Sequence, residues 1–149
     1  MNWLFDFLRN PFLLVAVVGW FASQTMKIFT HAIIYKKWDL KRFFGDGGMP
    51  SSHSTTVFAL TTFAGLNYGF ASFHFAVCAV FSLIICRDAV GVRRETGKQS
   101  IIINELKQLL SNEKIDNIKL KEFVGHTPVQ VLAGVVLGII TALVMNLII

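Results

Sequence analysis

His53 belongs to the run Gly47-Gly48-Met49-Pro50-Ser51-Ser52-His53-Ser54, and His126 to Gly125-His126-Thr127-Pro128. In both places glycine and proline rule out regular helix and a long apolar run follows, so each histidine marks a helix start. A helix start exposes N–H groups without intrahelical partners and the positive end of the helix dipole, which suits an anion. Imidazole is also the side chain that moves a proton near neutral pH. Between the two histidines lies the basic stretch Arg87-Asp88-Ala89-Val90-Gly91-Val92-Arg93-Arg94-Glu95-Thr96-Gly97-Lys98. These residue types together serve phosphoryl transfer. One neutral imidazole can attack phosphorus while a second, protonated, gives its proton to the leaving oxygen. Backbone N–H groups and fixed cations hold the charge that shifts between them. A metal would need more converging ligands than two histidines with Asp88 or Glu122 offer, and the positive surroundings oppose one, so no metal and no cofactor is expected. His31 and His74 lack such settings and read as structural.

The elements that must position these residues are helices in lipid. Of the 149 residues, 54% are hydrophobic and 15% charged, with 14 Phe, whereas soluble domains carry about 25% charge. So short a chain would struggle to bury that much apolar surface in water. The expected fold is therefore all-α: a single membrane-embedded domain, 1–149, of about four transmembrane helices with a short amphipathic interfacial helix. Residues 1–10 suit the interface, with Trp3 at headgroup depth. The spans fall at about 12–35, 54–69, 73–89 and 124–149, joined by a tight turn at 69–72 and by loops at 36–53 and 90–123. The second and third spans are short and need tilt or local thinning of the bilayer. Ile101, Ile102, Leu106, Leu109 and Leu110 recur at helical spacing and mark the interfacial helix, with a solvated connection at Ser111–Asp116. Gly134 and Gly138 allow close packing of the last span. Cys78 and Cys86, about 12 Å apart by helical rise, read as small buried hydrophobes. Lys27 lies inside the first span, where a lysine either snorkels or faces a polar cavity.

This topology puts both large loops on one membrane face. Together with Arg87 at the end of the third span they hold 12 of the 14 Lys and Arg residues, and the positive-inside rule then assigns that face to the cytoplasm. It also brings His53, the Arg87–Lys98 stretch and His126 to the same face at headgroup depth.

The residues resemble a known family. Pro50-Ser51-Ser52-His53-Ser54 is similar to the Pro-Ser-Gly-His motif of the type-2 phosphatidic acid phosphatase superfamily, shared with vanadium haloperoxidases. Gly125-His126-Thr127-Pro128-Val129-Gln130 resembles that superfamily's third motif. Together with Asp88-Ala89-Val90-Gly91-Val92-Arg93-Arg94, these segments look like its divergent, small membrane branch over about residues 20–145. The resemblance implies that His126 is the nucleophile, forming a phosphohistidine, and that His53 is the acid protonating the leaving alcohol. Lys27 or Arg42 would stand for the cations of a first motif whose Lys-x6-Arg-Pro pattern is absent as such. Ser51, Ser52, Arg93, Arg94, Lys98 and Lys121 complete the expected phosphate-binding set. Gln130 stands where the superfamily has the aspartate that orients the nucleophile, and Glu122 could take that role if the last helix began early. A glutamine accepts a hydrogen bond from imidazole but cannot stabilise imidazolium by charge.

The resulting expectation is a metal-independent membrane phosphatase acting on a lipid phosphate monoester or diphosphate. The alternative is a non-catalytic binder or translocator of a phosphorylated lipid, and a blander one a small membrane scaffold whose histidines cap helices. The partners expected are the phosphorylated lipid and membrane lipids, with no nucleic acid. A bundle of four spans is thin, which is compatible with a homodimer.

Overall fold

The computed structural model describes residues 3–45, 47–110, 120–122 and 124–149. The connection expected at 111–116 lies outside them. The described residues form helices without any strand: α1 (Trp3–Leu8), α2 (Pro11–Tyr35), α3 (Ser52–Tyr68), α4 (Phe73–Val90), α5 (Val92–Leu110) and α6 (Pro128–Ile148), with a short 3-10 turn at Leu40–Phe44. Caps written in the sequence set most of the boundaries. The Asn10 side chain accepts from the N–H groups of Phe12 and Leu13, with Pro11 in the first turn, and α2 ends where Lys36 turns left-handed. Ser51 caps α3, Ser72 caps α4, and Thr127 with Gln130 forms a capping box on α6.

Three stretches are long and apolar enough to cross a membrane: Pro11–Tyr35, Phe73–Lys107, which contains α4 and runs into α5, and Pro128–Ile148. The fourth crossing is α3. At 17 residues it is the shortest of the four, yet nine of those residues are buried, including Ser54, Thr55 and Thr61. α2, α4 and α6 pack around it. Its hydroxyls therefore meet protein rather than lipid: Thr61 Oγ1 lies 2.7 Å from Ser82 Oγ of α4 and donates to Val57 O of its own helix. That shielding is why a short, moderately polar helix can occupy the middle of the bundle.

The closest seam joins α3 to α6. A Cβ on Gly134 would lie 2.5 Å from Ser51 O, and one on Gly138 2.6 Å from Thr55 O, so the two glycines let the backbones touch. Next to this seam Val15, Ala59, Phe63 and Ala142 close the core, with Phe12 and Met145 packed against it.

Two boundaries differ from the sequence expectation. The last helix begins at Pro128 rather than near 124, because Gly125 adopts a positive φ of 84° and Thr127 is the cap. The segment expected as a loop from residue 90 is mostly α5, 19 residues long. Its basic first half continues the amphipathic helix expected further along, with Lys98 reaching back to Glu95 one turn earlier.

Candidate active site

The site forms where α2, α3 and the start of α6 meet Gly45 and residues 47–50. Lys27 projects from α2 and is only 5% exposed. Its Nζ donates to Ser52 Oγ at 3.1 Å and reaches Gly45 O at 3.5 Å. The cation is thus held inside the protein at the first turn of α3, and the choice between snorkelling and a polar cavity is decided for the cavity. The glycine-rich loop is fixed over it: Thr30 donates to Met49 O at 2.6 Å, and Ser51 N donates to Gln130 O at 3.0 Å. That last bond ties the start of α3, with His53, to the start of α6, next to His126.

His126 is buried, and two hydrogen bonds set its position. Its N–H donates to Ala89 O at the end of α4, at 2.9 Å. Its Nδ1 lies 3.3 Å from Gln130 Oε1, the same oxygen that accepts from Thr127 N–H at 3.0 Å. Because that oxygen already receives a backbone donor, the amide orientation is fixed, and the tautomer that bonds it is the one protonated on Nδ1, with the lone pair on Nε2. The backbone before it is pressed against α5. Gly125 lies against Arg93 and Arg94, where a Cβ would overlap their backbone, and Gly97 passes so close to Glu122 and Val124 that a Cβ there would lie 2.6 Å from Val124 O. Asn104, also on α5, clamps Leu120 through both its N–H and its carbonyl.

The rings of His53 and His126 have centroids 6.3 Å apart. They share a cavity of about 540 Å3 with Lys27, Ser52 and Arg93, whose inner wall is Trp20, Val57, Phe81 and Ile85. α2 and α4 flank α3 without packing closely on each other, and the cavity lies between them. Burial pushes the His126 pKa below its ordinary value, and the positive charges of Lys27 and His53 push the same way, against the hydrogen bonds that the ring donates to Gln130 and to the backbone at Gly48. His126 therefore meets the cavity as a neutral imidazole.

The structure brings Lys27, Ser52, His53, Arg93 and His126 into this cavity. Arg94, Lys98, Glu122 and Gln130 line a smaller one, of about 350 Å3, on the other side of His126. Arg93 pairs with Asp88, and Lys98 with Glu95 at 2.6 Å. Glu122 accepts from Asn104 Nδ2 at 2.8 Å, since no helix carries it round to the imidazole. Ser51 is buried beneath the site as the cap of Ser54. Arg42 sits on the 3-10 turn, paired with Asp39 at 3.6 Å, and lines neither cavity; nor does Lys121. Sequence reasoning missed two polar residues that line the main cavity, Gln24 and Thr56. Each falls one turn from a residue already singled out, Lys27 or Ser52, and that spacing is the signal that could have found them. Among the described residues no group of three or more His, Cys, Asp or Glu side chains converges on a point. His31 bonds Lys37 O, and His74 stacks on Tyr68, both away from the cavity.

An all-helical membrane bundle with a basic, two-histidine cavity at one end is the class that fold and site define. The family model described as the divergent PAP2 family matches residues 8–141, nearly the whole chain. The chain belongs to that family. It is 37% identical over 152 aligned positions to the uncharacterized membrane protein YuiD of Bacillus subtilis (strain 168), covering 94% of this chain and 96% of that one. No solved structure matches it.

Proposed function

We propose that the protein is a membrane phosphatase that hydrolyses a lipid phosphate monoester or diphosphate through a phosphohistidine on His126. The observation carrying this is the single cavity in which Lys27, Ser52, His53, Arg93 and His126 meet. Phosphate oxygens are held by Lys27, by Arg93 and by the N–H groups of the first turn of α3. Nε2 of His126 attacks phosphorus as the bond to the alcohol oxygen breaks, and His53 gives that oxygen its proton. Water then attacks the phosphohistidine, losing a proton to His53, and His126 leaves neutral with phosphate released. The rings of His53 and His126, with centroids 6.3 Å apart, open on one cavity, and the reaction needs a near-attack distance of about 3–3.5 Å at phosphorus and a proton-transfer distance of about 2.6–3.2 Å at the leaving oxygen. Purified protein is expected to release phosphate from phosphatidic acid, phosphatidylglycerol phosphate or a polyprenyl phosphate in the presence of EDTA. No release from such a panel would overturn the reading.

The active face is proposed to be cytoplasmic, on the charge bias of its loops. With Cys78 and Cys86 replaced by serine, a cysteine at Lys98 should react with an impermeant maleimide only in inside-out vesicles. One at Phe70 should react in intact cells. The reverse pattern would refute the assignment.

One observation favours a second reading, a binder or translocator of phosphorylated lipid without turnover. The partner of His126 Nδ1 is an amide rather than a carboxylate. Lipid-phosphate binding that is weakened by Arg93→Ala, unaffected by His126→Ala, and unaccompanied by hydrolysis would select it.

A further inference from the structure

α2 and α4 both pack on α3 but not closely on each other, and the cleft between them extends beyond the histidines. A second cavity, of about 340 Å3, lies farther along it, lined by Phe12 of α2, Leu60 and Ala64 of α3, and Val77 and Cys78 of α4. The lining is continuous at helical spacing. Val57 of the first cavity leads to Leu60 and Ala64 on α3, and Ile85 and Phe81 lead to Val77 on α4. Phe81 and Val77 are half exposed, so this edge of the cleft opens sideways toward lipid. Lys27, Ser52, His53 and Arg93 stand at the phosphate end, with Gln24 and Thr56 one turn in, where the Thr56 hydroxyl donates to Ser52 O at 2.8 Å. Beyond them the lining residues of α3, Val57, Leu60 and Ala64, are apolar. At the far end Phe12, Tyr68 and His74, one each from α2, α3 and α4, stack in succession with centroids 5.0 and 4.2 Å apart and bridge the three helices. From Ser52 to Ala64 is about 18 Å of helical rise, close to the depth of one leaflet of a hydrocarbon core about 30 Å thick.

We propose that this cleft seats one hydrocarbon chain of the substrate, which enters sideways from the bilayer between α2 and α4; this rests on the phosphatase reading. The phosphate stays at the histidines and the chain points toward the Phe12–Tyr68–His74 stack. Continuity with the site chooses this occupant: a lipid held by its phosphate at Lys27 must lay its next carbons somewhere, and the cleft is the apolar path leading from there. The apolar groove between α2 and α6, at Met26, Leu132 and Val136, is lined by neither His53 nor His126. The bridged end also sets a reach. Chains up to about one leaflet deep gain contact with each added carbon, and longer ones gain no more. The substrate class selected is a phosphate carrying a chain of that reach, rather than a short-chain or water-soluble one.

The test is a series of single-chain alkyl phosphates of increasing length. For the wild-type protein kcat/KM should rise about tenfold or more from the shortest chain and level off once the chain is one leaflet deep. Leu60→Trp and Val77→Trp, which fill the cleft, should each cut the long-to-short ratio about tenfold. Val136→Trp, in the groove between α2 and α6, should leave that ratio unchanged. No rise with length, a ratio that both cleft variants leave intact, or one that only Val136→Trp lowers would overturn the proposal. A non-hydrolysable alkyl phosphonate with a diazirine at the end of its chain separates this from the parent reading. Its cross-links should map to Phe12, Leu60, Ala64 or Val77 and be displaced by unlabelled alkyl phosphonate. If no alkyl phosphate is hydrolysed, the phosphatase reading fails, while such labelling still upholds the cleft. Labels scattered over the outer faces of α2, α4 and α6, or no labelling, would overturn it.

Discussion

Gln130 Oε1 and His126 Nδ1 lie 3.3 Å apart, and the same oxygen caps the helix that follows by accepting from Thr127 N–H. One amide therefore ends the loop, starts α6 and fixes the tautomer of the imidazole. It does so without supplying a negative charge, which leaves His126 more easily deprotonated than a carboxylate-paired histidine would be.

That pairing has a pH signature. With its pKa lowered chiefly by burial, His126 stays neutral as pH falls through the ordinary imidazole value of about 6.5. The acid limb of kcat/KM is expected below that value. Gln130→Glu places a carboxylate beside the ring, favours imidazolium, and should move the limb upward by about one unit or more. A neutral-pH rate above wild type should accompany it, through charge stabilisation of the attacking ring. A limb that does not move would mean that His126 is not the titrating group.

The cations should separate by position. Lys27→Met removes the buried ammonium beside Ser52, and phosphate or vanadate affinity should fall about tenfold or more. The fold should survive, since an apolar side chain in an apolar helix relieves the desolvation of a buried charge. Arg93→Ala should weaken binding less, because Arg93 is half exposed and shared with Asp88. Arg42→Ala should leave turnover within about twofold, as a surface ion pair contributes little. Titrations monitored by vanadate inhibition would rank the three.

Packing of α3 on α6 carries the site, because the two histidines sit together at the starts of these helices. Gly138→Val puts methyl groups where the backbone at Thr55 already stands. A loss of about 1–3 kcal/mol or more is expected, seen as a lower melting temperature in detergent and reduced activity. Gly69→Ala, at a turn with open space around it, is strained by its φ of 85° but meets no neighbour, and should cost less.

The histidines were legible in the sequence because their signals are local: Gly, Pro and Ser beside each one fix a helix start. Counting spans then brings both to one face. What lies within the cavity depends on how each helix is rotated, and short motifs do not encode that. Lys27 enters because α2 turns that face toward α3, while Arg42 is carried off by the 3-10 turn that folds back on Asp39. Gln24 follows Lys27 by the same rotation. Glu122 looked suited to orient His126 only on the assumption of a helix reaching back to it. The positive φ of Gly125 ends that possibility, and its carboxylate goes to Asn104 instead. The extent of α5 was obscured by Gly91, since a glycine that breaks one helix does not announce that another begins at Val92.

The role of His53 is open to a leaving-group test. An aryl oxide departs without a proton, whereas an alkoxide needs one. His53→Ala should therefore slow hydrolysis of an alkyl lipid phosphate about a hundredfold or more and that of an aryl phosphate far less. Equal losses on both would remove His53 from the acid's role.

Trapping the intermediate tests the central claim most directly. Protein incubated with a radiolabelled aryl phosphate and quenched in base should carry an acid-labile phosphoramidate that mass spectrometry maps to His126. The label is expected in the wild type and in His53→Ala, and absent from His126→Ala. A phosphoenzyme that persists in His126→Ala, or that maps to another residue, would contradict the assignment.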